Sequence, residues 1–275
     1  MLSFSVLVAA LLSLLPLSIA SPAKRQLPAE PSGVTTIRSP GGAEIRYKEP
    51  GKDGVCETTP GVNSYSGYIS LNATTNMFFW FFEARSNPAT APITLWLNGG
   101  PGSDSMIGLF QELGPCSITE DLKSKLNPYA WNEESNMLFL SQPVGVGFSY
   151  GTTKEGYQTT YGAHVLPEPN ANTLPNEGRF SWVNWKRYDT TYMAATGTWE
   201  ILQAFLTNLP SLDSTVKNRT FNLWTESYGG HYGPTFYDYF YQQNELIASG
   251  RRKGVALQMD TLGIINGIID EMIQT

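Results

Sequence analysis

Histidine and cysteine are almost missing from this chain: 275 residues hold two of each, His164 and His231, Cys56 and Cys116. A cysteine/histidine zinc module is therefore excluded, and any mechanism that needs an imidazole has two candidates. Basic residues are in the minority, 18 against 24 acidic ones, for a formal charge of −6. That balance argues against nucleic acid as the main partner. Past the first 20 residues no apolar run is long enough to span a bilayer. What is abundant is apolar and aromatic material. A hydrophobic share of 41% supplies a sizeable core and excludes a disordered or collagen-like chain.

Residues 1–20, MLSFSVLVAALLSLLPLSIA, form an apolar stretch broken by Pro16 and closed by the small residues Ser18 and Ala20. This is the layout of a secretory signal peptide with its cleavage site. The dibasic pair Lys24-Arg25 falls within residues 21–60, read as a pro-segment and lead-in rich in Pro, Gly, Lys and Glu. Sequons at Asn72 and Asn218 suit the same route and predict a secreted or vacuolar glycoprotein. In an oxidising compartment Cys56 and Cys116 either pair with each other or with cysteines outside this chain.

From residue 61 onward the pattern predicts an α/β domain. Tyr65–Ile69 and Met77–Phe82 read as a hairpin turning over Asn72–Asn76. Ile93–Leu97 and Met137–Leu140 are short, continuously apolar runs, expected of strands buried on both faces. Residues 151–182 are Gly/Asn/Pro-rich and polar, expected as a surface insertion near the site. Apolar spacing predicts a helix over Tyr188–Leu209, stopped by Pro210, and a second over Pro234–Ser249. Phe221–Trp224 and Leu262–Ile269 complete the strands. Strands alternating with helices imply a sheet covered on both sides.

Two segments carry chemistry. In Trp224-Thr225-Glu226-Ser227-Tyr228-Gly229-Gly230-His231-Tyr232-Gly233-Pro234 a buried strand runs into a small-residue turn and then a helix, with Ser227 at the apex. This is the geometry of a nucleophile elbow: the strained turn lifts the serine oxygen out of the sheet, and the next N–H points toward the helix start. The plainer alternative is a capping serine. In Leu95-Trp96-Leu97-Asn98-Gly99-Gly100-Pro101-Gly102-Ser103 a strand ends in a double glycine that exposes backbone N–H groups. Beside an elbow, such a loop supplies the second oxyanion donor.

Together these segments resemble the serine carboxypeptidase family. The matching stretches, in family order, are Trp96–Gly102, Glu112–Pro115, Gln142–Tyr150, Glu226–Tyr232 and Ile265–Gly267 with Asp270 and Gln274. The resemblance runs from about Ser66 to the last residue. It implies an α/β-hydrolase-like mixed, mostly parallel sheet flanked by helices, and a peptidase without cofactor or metal that acts on peptides with a free C-terminus. Ser227 would be the nucleophile and the N–H groups of Gly100 and Tyr228 the oxyanion hole. Asn98, Glu112 and Glu226, supported by Trp96, would hold the substrate's terminal carboxylate, with at least one glutamate protonated because like charges in a partly buried site raise each other's pKa. The family's catalytic Asp and His are expected after the last residue of this sequence, since His231 sits on the serine's own turn and His164 precedes it. The chain thus reads as an N-terminal part, truncated before its last strands. Alternatives are an inactive secreted relative that binds peptide C-termini, or an esterase or acyltransferase of the same fold. The chain departs from the family pattern at Thr225, where Gly is expected, and at Ser103, Asp104 and Ser141, where Cys, Ser and Asp are expected.

Overall fold

The computed structural model describes residues 31–39, 41–160 and 164–274. The expected signal peptide and Lys24-Arg25 lie outside the described residues. The chain divides into two compact units, one holding described residues 154–180 and the other residues 31–153 and 181–274.

In the larger unit the elements run β1 (Thr35–Arg38), β2 (Glu44–Lys48), β3 (Ser64–Asn72), β4 (Thr75–Phe82), β5 (Ile93–Leu97), α1 (Met106–Gln111), β6 (Cys116–Ile118), β7 (Ser124–Leu126) and β8 (Asn136–Leu140). After β9 (Thr152–Thr159), β10 (Val165–Leu166) and β11 (Thr173–Trp182) come α2 (Thr191–Leu212), β12 (Thr220–Glu226), α3 (Gly229–Ala248), β13 (Gln258–Ile265) and α4 (Glu271–Gln274). Eight strands form one mixed sheet in the order β1-β2-β3-β4-β8-β5-β12-β13. The pairings from β1 to β8 are antiparallel and those from β8 to β13 parallel, so only β2 and β4 oppose the common direction.

The continuous apolar runs follow from burial of both sheet faces. Because side chains alternate along a strand, Phe79, Phe81, Leu95, Leu97, Leu138 and Leu140 enter one core. Trp80, Phe82, Trp96, Met137 and Phe139 enter the other. Helices α2 and α3 cover the first face, with Phe205 set edge-on against Phe79 and Phe81. The second face is covered by α1, through Met106 and Leu109, and by the Cys56–Cys116 disulfide. The two cysteines therefore pair with each other. Closing a loop of 60 residues stabilises the fold by about 4 kcal/mol in the chain-entropy view.

Several boundaries differ from expectation, each for a local reason. The β3–β4 turn is only Ala73-Thr74, since Asn72 and Thr75 already pair across the strands. Residues 35–48, read as lead-in, add β1 and β2 to the sheet edge, where Ile45 and Tyr47 are buried. Pro210 does not stop α2. Lacking an N–H, it forfeits a single bond near the helix end, while Leu209 and Leu212 remain buried and the Asp213 N–H closes on the Leu209 carbonyl. Helix α3 starts at Gly229, before Pro234, because Gly229, Gly230 and Gly233 let its first turns sit directly on Thr225 and the Ile268 backbone. Strand β13 covers Gln258–Ile265 rather than Leu262–Ile269; Asn266, with φ of 49°, turns the chain out of the sheet. The polar residues 151–182 hold a three-stranded arrangement in the order β10-β9-β11, with β9 and β10 antiparallel.

Two buried carboxyls, Glu83 and Glu57, set the pH response. Glu83 and Asp213 are each almost fully buried, and Glu83 Oε1 and Asp213 Oδ2 have no hydrogen-bond partner among the described residues. Burial pushes Glu83 up to about 7; the Asn63 amide opposes this, and the Asp213 charge adds to it. A carboxyl raised on folding contributes its stability below the unfolded value of 4.5 and loses it as pH climbs toward 7. Glu57 acts oppositely. Burial pushes it up, but hydrogen bonds from Thr59 and Asn132, together with the Arg85 guanidinium, outweigh that and hold it below 4.5. Its stabilisation is present above that pH and is lost in stronger acid. The fold should therefore be most stable in mild acid. Thermal melts between pH 4.5 and 8 should show Tm falling as pH rises, with Glu83→Gln flattening the decline; an equal slope in the variant would contradict this.

Candidate active site

The site is set by strand register. β5 and β12 lie side by side and parallel, with Trp96 opposite Trp224 and Leu97 opposite Thr225. Their next residues, Asn98-Gly99-Gly100 and Glu226-Ser227-Tyr228, consequently emerge together from the carboxyl ends of neighbouring strands. This is where α/β sheets build their sites.

Ser227 has φ of 59°, a left-handed conformation in a non-glycine residue. It costs about 1–3 kcal/mol and persists only where the surroundings over-determine it. Three backbone bonds do so. The Ser227 N–H donates to the Ile265 carbonyl (3.0 Å), and its own carbonyl accepts from Gly230 N–H (3.0 Å) and Ile268 N–H (2.8 Å). The residue is half-buried. Gly99 packs backbone to backbone on the elbow: a Cβ there would overlap the Tyr228 nitrogen and the Glu226 carbonyl. Gly100 has φ of 108°, so a side chain at this position would be strained. Neither the Gly100 nor the Tyr228 amide has a hydrogen-bond acceptor among the described residues.

Beside the elbow stands a polar cluster whose centre is Asn98, only 3% exposed. Its Oδ1 accepts from Trp96 Nε1 (2.9 Å) and from Gly108 N–H (2.9 Å). With the oxygen so occupied, Nδ2 must face the other way. It donates to Glu226 Oε2 at 2.6 Å and approaches Glu112 Oε1 at 3.5 Å. One amide therefore faces two carboxyls. Burial, and then the Glu226 charge, push the Glu112 carboxyl above its ordinary range against the opposing Asn98 bond. Trp96 is fixed in turn, edge-on to Trp131, which stands edge-on to Trp224.

The sequence matched by the serine carboxypeptidase profile is residues 50–275. The chain belongs to the serine carboxypeptidase family. It is 45% identical over 222 residues to carboxypeptidase S1 of Penicillium janthinellum, covering 80% of this chain and 44% of that one. To carboxypeptidase S1 homolog A of Trichophyton rubrum it is 42% identical over 268 residues, 88% of this chain and 40% of the other. Among solved structures it resembles a prohormone-processing carboxypeptidase of Saccharomyces cerevisiae, with a TM-score of 0.59 and 26% identity over 79% of this chain and 41% of that one. The chain spans less than half the length of these relatives.

The structure of this serine carboxypeptidase chain brings Trp96, Asn98, Gly100, Glu226, Ser227 and Tyr228 to neighbouring strand ends, and Glu112 to them from the end of α1. The His231 ring stacks obliquely on Tyr228, with centroids 4.7 Å apart, and makes no hydrogen bond to the serine. His164 belongs to the smaller unit. The departures from the family pattern are accommodated. Thr225 is fully buried and donates its hydroxyl to the Gly229 carbonyl at 2.9 Å. Ser141 Oγ donates to Asp104 Oδ1 at 2.8 Å, so the expected acid and hydroxyl have traded places rather than been lost.

Sequence reasoning missed two supports. Tyr232 Oη accepts from Gly102 N–H at 3.0 Å, tying α3 to the glycine loop. Gly108 lets α1 press its backbone against the Trp96–Asn98 pair, and its only signal was a glycine inside the short helix MIGLFQ. A Cβ at Gly108 would overlap Trp96 Nε1 and stand 2.8 Å from Asn98 Oδ1. Gly108→Ala should therefore cost about 1–3 kcal/mol by overpacking and displace the Asn98 amide. Urea titration followed by tryptophan fluorescence checks this, and an unchanged midpoint would refute it.

Proposed function

We propose that this chain forms the nucleophile and recognition half of a serine-type carboxypeptidase, which releases the C-terminal residue of a peptide through an acyl-enzyme on Ser227. The observation that carries the reading is the Asn98 amide held between two carboxyls, immediately beside a strained serine. A site for an ester lacking a charge has no need of such a group. The peptide's terminal carboxylate would take the Asn98 Nδ2–H and an O–H from Glu112. The raised pKa of Glu112 favours its protonated, donating form as pH falls. Trp96 holds the amide in the donating orientation. With the carboxylate so anchored, the scissile carbonyl would reach Ser227, and its oxygen the N–H groups of Gly100 and Tyr228. Losing one such donor typically costs about 3–4 kcal/mol of transition-state stabilisation.

Acyl transfer also needs a general base oriented by an acid. His231 stacks on Tyr228 and makes no hydrogen bond to Ser227, so the reading leaves the base and its acid unassigned. Taken by itself, the present chain would bind peptide C-termini without turning them over. We further propose a secretory route, to the exterior or the vacuole, with glycosylation at Asn72, exposed at the β3–β4 turn, and at Asn218. A vacuolar serine-type carboxypeptidase of Saccharomyces cerevisiae, 34% identical over 230 residues, supports this. No helix among the described residues is long and apolar enough to cross a membrane.

The test is calorimetric titration of the chain with a blocked dipeptide, as the free acid and as the C-terminal amide. Binding should require the free carboxylate and weaken as pH rises and Glu112 ionises, because a donor is lost and a like charge appears. Glu112→Gln should remove most of that pH dependence. Equal affinity for acid and amide, or affinity flat from acid to neutral pH, would overturn the assignment.

A further inference from the structure

We propose that Asp104 is a positioning residue that pins the glycine loop, and with it the Gly100 amide, in place for reaction at Ser227. The proposal rests on the serine carboxypeptidase reading above and names a residue which that reading leaves without a role.

Three of the eight residues from Asn98 to Ser105 are glycine, so past Asn98 the loop holds little of its shape through side-chain packing. Its internal bonds are few: Ser103 N–H to the Gly99 carbonyl (3.0 Å) and Asn98 N–H to Ser105 Oγ (3.3 Å). From outside, Tyr232 takes the Gly102 amide. Beyond these and the bonds of the Asn98 side chain, the remaining side-chain tie is Asp104. Its Oδ1 accepts from Ser141 Oγ (2.8 Å) and from Met106 N–H (3.2 Å), so one oxygen joins the loop, the start of α1 and the end of β8.

The Ser141 end of this tie is itself anchored. The Phe78 N–H donates to Ser149 Oγ (2.8 Å), and Ser149 Oγ donates to the Ser141 carbonyl (2.5 Å). Both serines are buried. A continuous path of hydrogen bonds thus runs from strand β4 through Ser149 and Ser141 to Asp104. On its far side the carboxylate lies flat on Gly147, where any Cβ would overlap it; Gly147 adopts φ of 53°. The neighbouring loop is therefore shaped to receive this group.

Among the described residues no cation pairs with Asp104. An unpaired negative charge on a loop meant to stabilise an oxyanion works against the chemistry in electrostatic terms. Geometry is what the carboxylate contributes: Oδ1 has lone pairs enough to accept from both Ser141 Oγ and Met106 N–H, while Oδ2 rests against Gly147.

Hydrogen exchange resolved residue by residue on the full 275-residue chain tests this. In Asp104→Ala the protected amides of Gly102 and Ser103 should exchange about tenfold faster, while the α2 core amides of Ile201 and Phe205 keep their wild-type rates. The Gly100 amide resonance should move as well. The reciprocal exchange Asp104→Ser with Ser141→Asp rebuilds the same bond and should restore both readouts. A purely global loss of stability would speed loop and core amides alike, and that result would overturn the proposal. So would a reciprocal variant no better than Asp104→Ala. If Asp104→Ala fails to fold, Ser141→Ala removes the same bond and should accelerate the same two amides; native rates in that variant would sink the idea. None of these readouts needs peptide binding. A failed dipeptide titration with these loop rates as expected would therefore remove the functional reading and leave the pin standing.

Discussion

The parallel register of β5 and β12 is the constraint from which the site follows. Two strands that end side by side deliver their next residues to the same place, and here those residues are a double glycine and a serine turned into left-handed backbone. The strain at Ser227 persists because the Gly230, Ile265 and Ile268 backbones all bond to it. Gly99 is required because the Tyr228 amide occupies the space its side chain would need. Shift the register by one residue and every buried side chain of β12 changes face. The core that fixes the register, with Phe221 and Leu223 on the α2/α3 side, therefore also fixes the chemistry.

Orientation matters as much as position. An asparagine can present either end of its amide, and Asn98 is left with one choice because Trp96 and Gly108 both donate to its oxygen. The donor end then faces Glu226 and Glu112, and burial, then the Glu226 charge, raises the Glu112 carboxyl above its ordinary range. The buried Glu83 carboxyl is shifted in the same sense. The Glu112 and Glu83 carboxyls, both raised by burial, thus point the same way in pH.

Much of this was legible in the sequence. The runs ITLWL and NMLFL announced doubly buried strands because alternation places Leu95 and Trp96 in different cores, both apolar. The elbow and glycine loop were legible because small residues between a strand and a helix have few other uses. Boundaries fared worse. Helix α3 begins five residues before the Pro234 that its apolar spacing points to, because its first turn is glycine, poor in intrinsic propensity but demanded by packing on Thr225. Pro210 was read as a stop, although two buried leucines carry α2 past it. The strands at residues 35–48 hid in polar sequence because an edge hairpin buries few side chains. The Asp104–Ser141 bond joins positions 37 residues apart and has no periodic signal at all.

The central claim is that a peptide's terminal carboxylate is read by the Asn98 amide within reach of Ser227. A crystal structure of the chain soaked in mild acid with a blocked dipeptide tests it most directly. The account predicts one carboxylate oxygen about 3 Å from Asn98 Nδ2 and the scissile carbonyl oxygen directed at the Gly100 and Tyr228 amides. A dipeptide bound with its carboxylate away from Asn98, or its carbonyl turned from those amides, would contradict it.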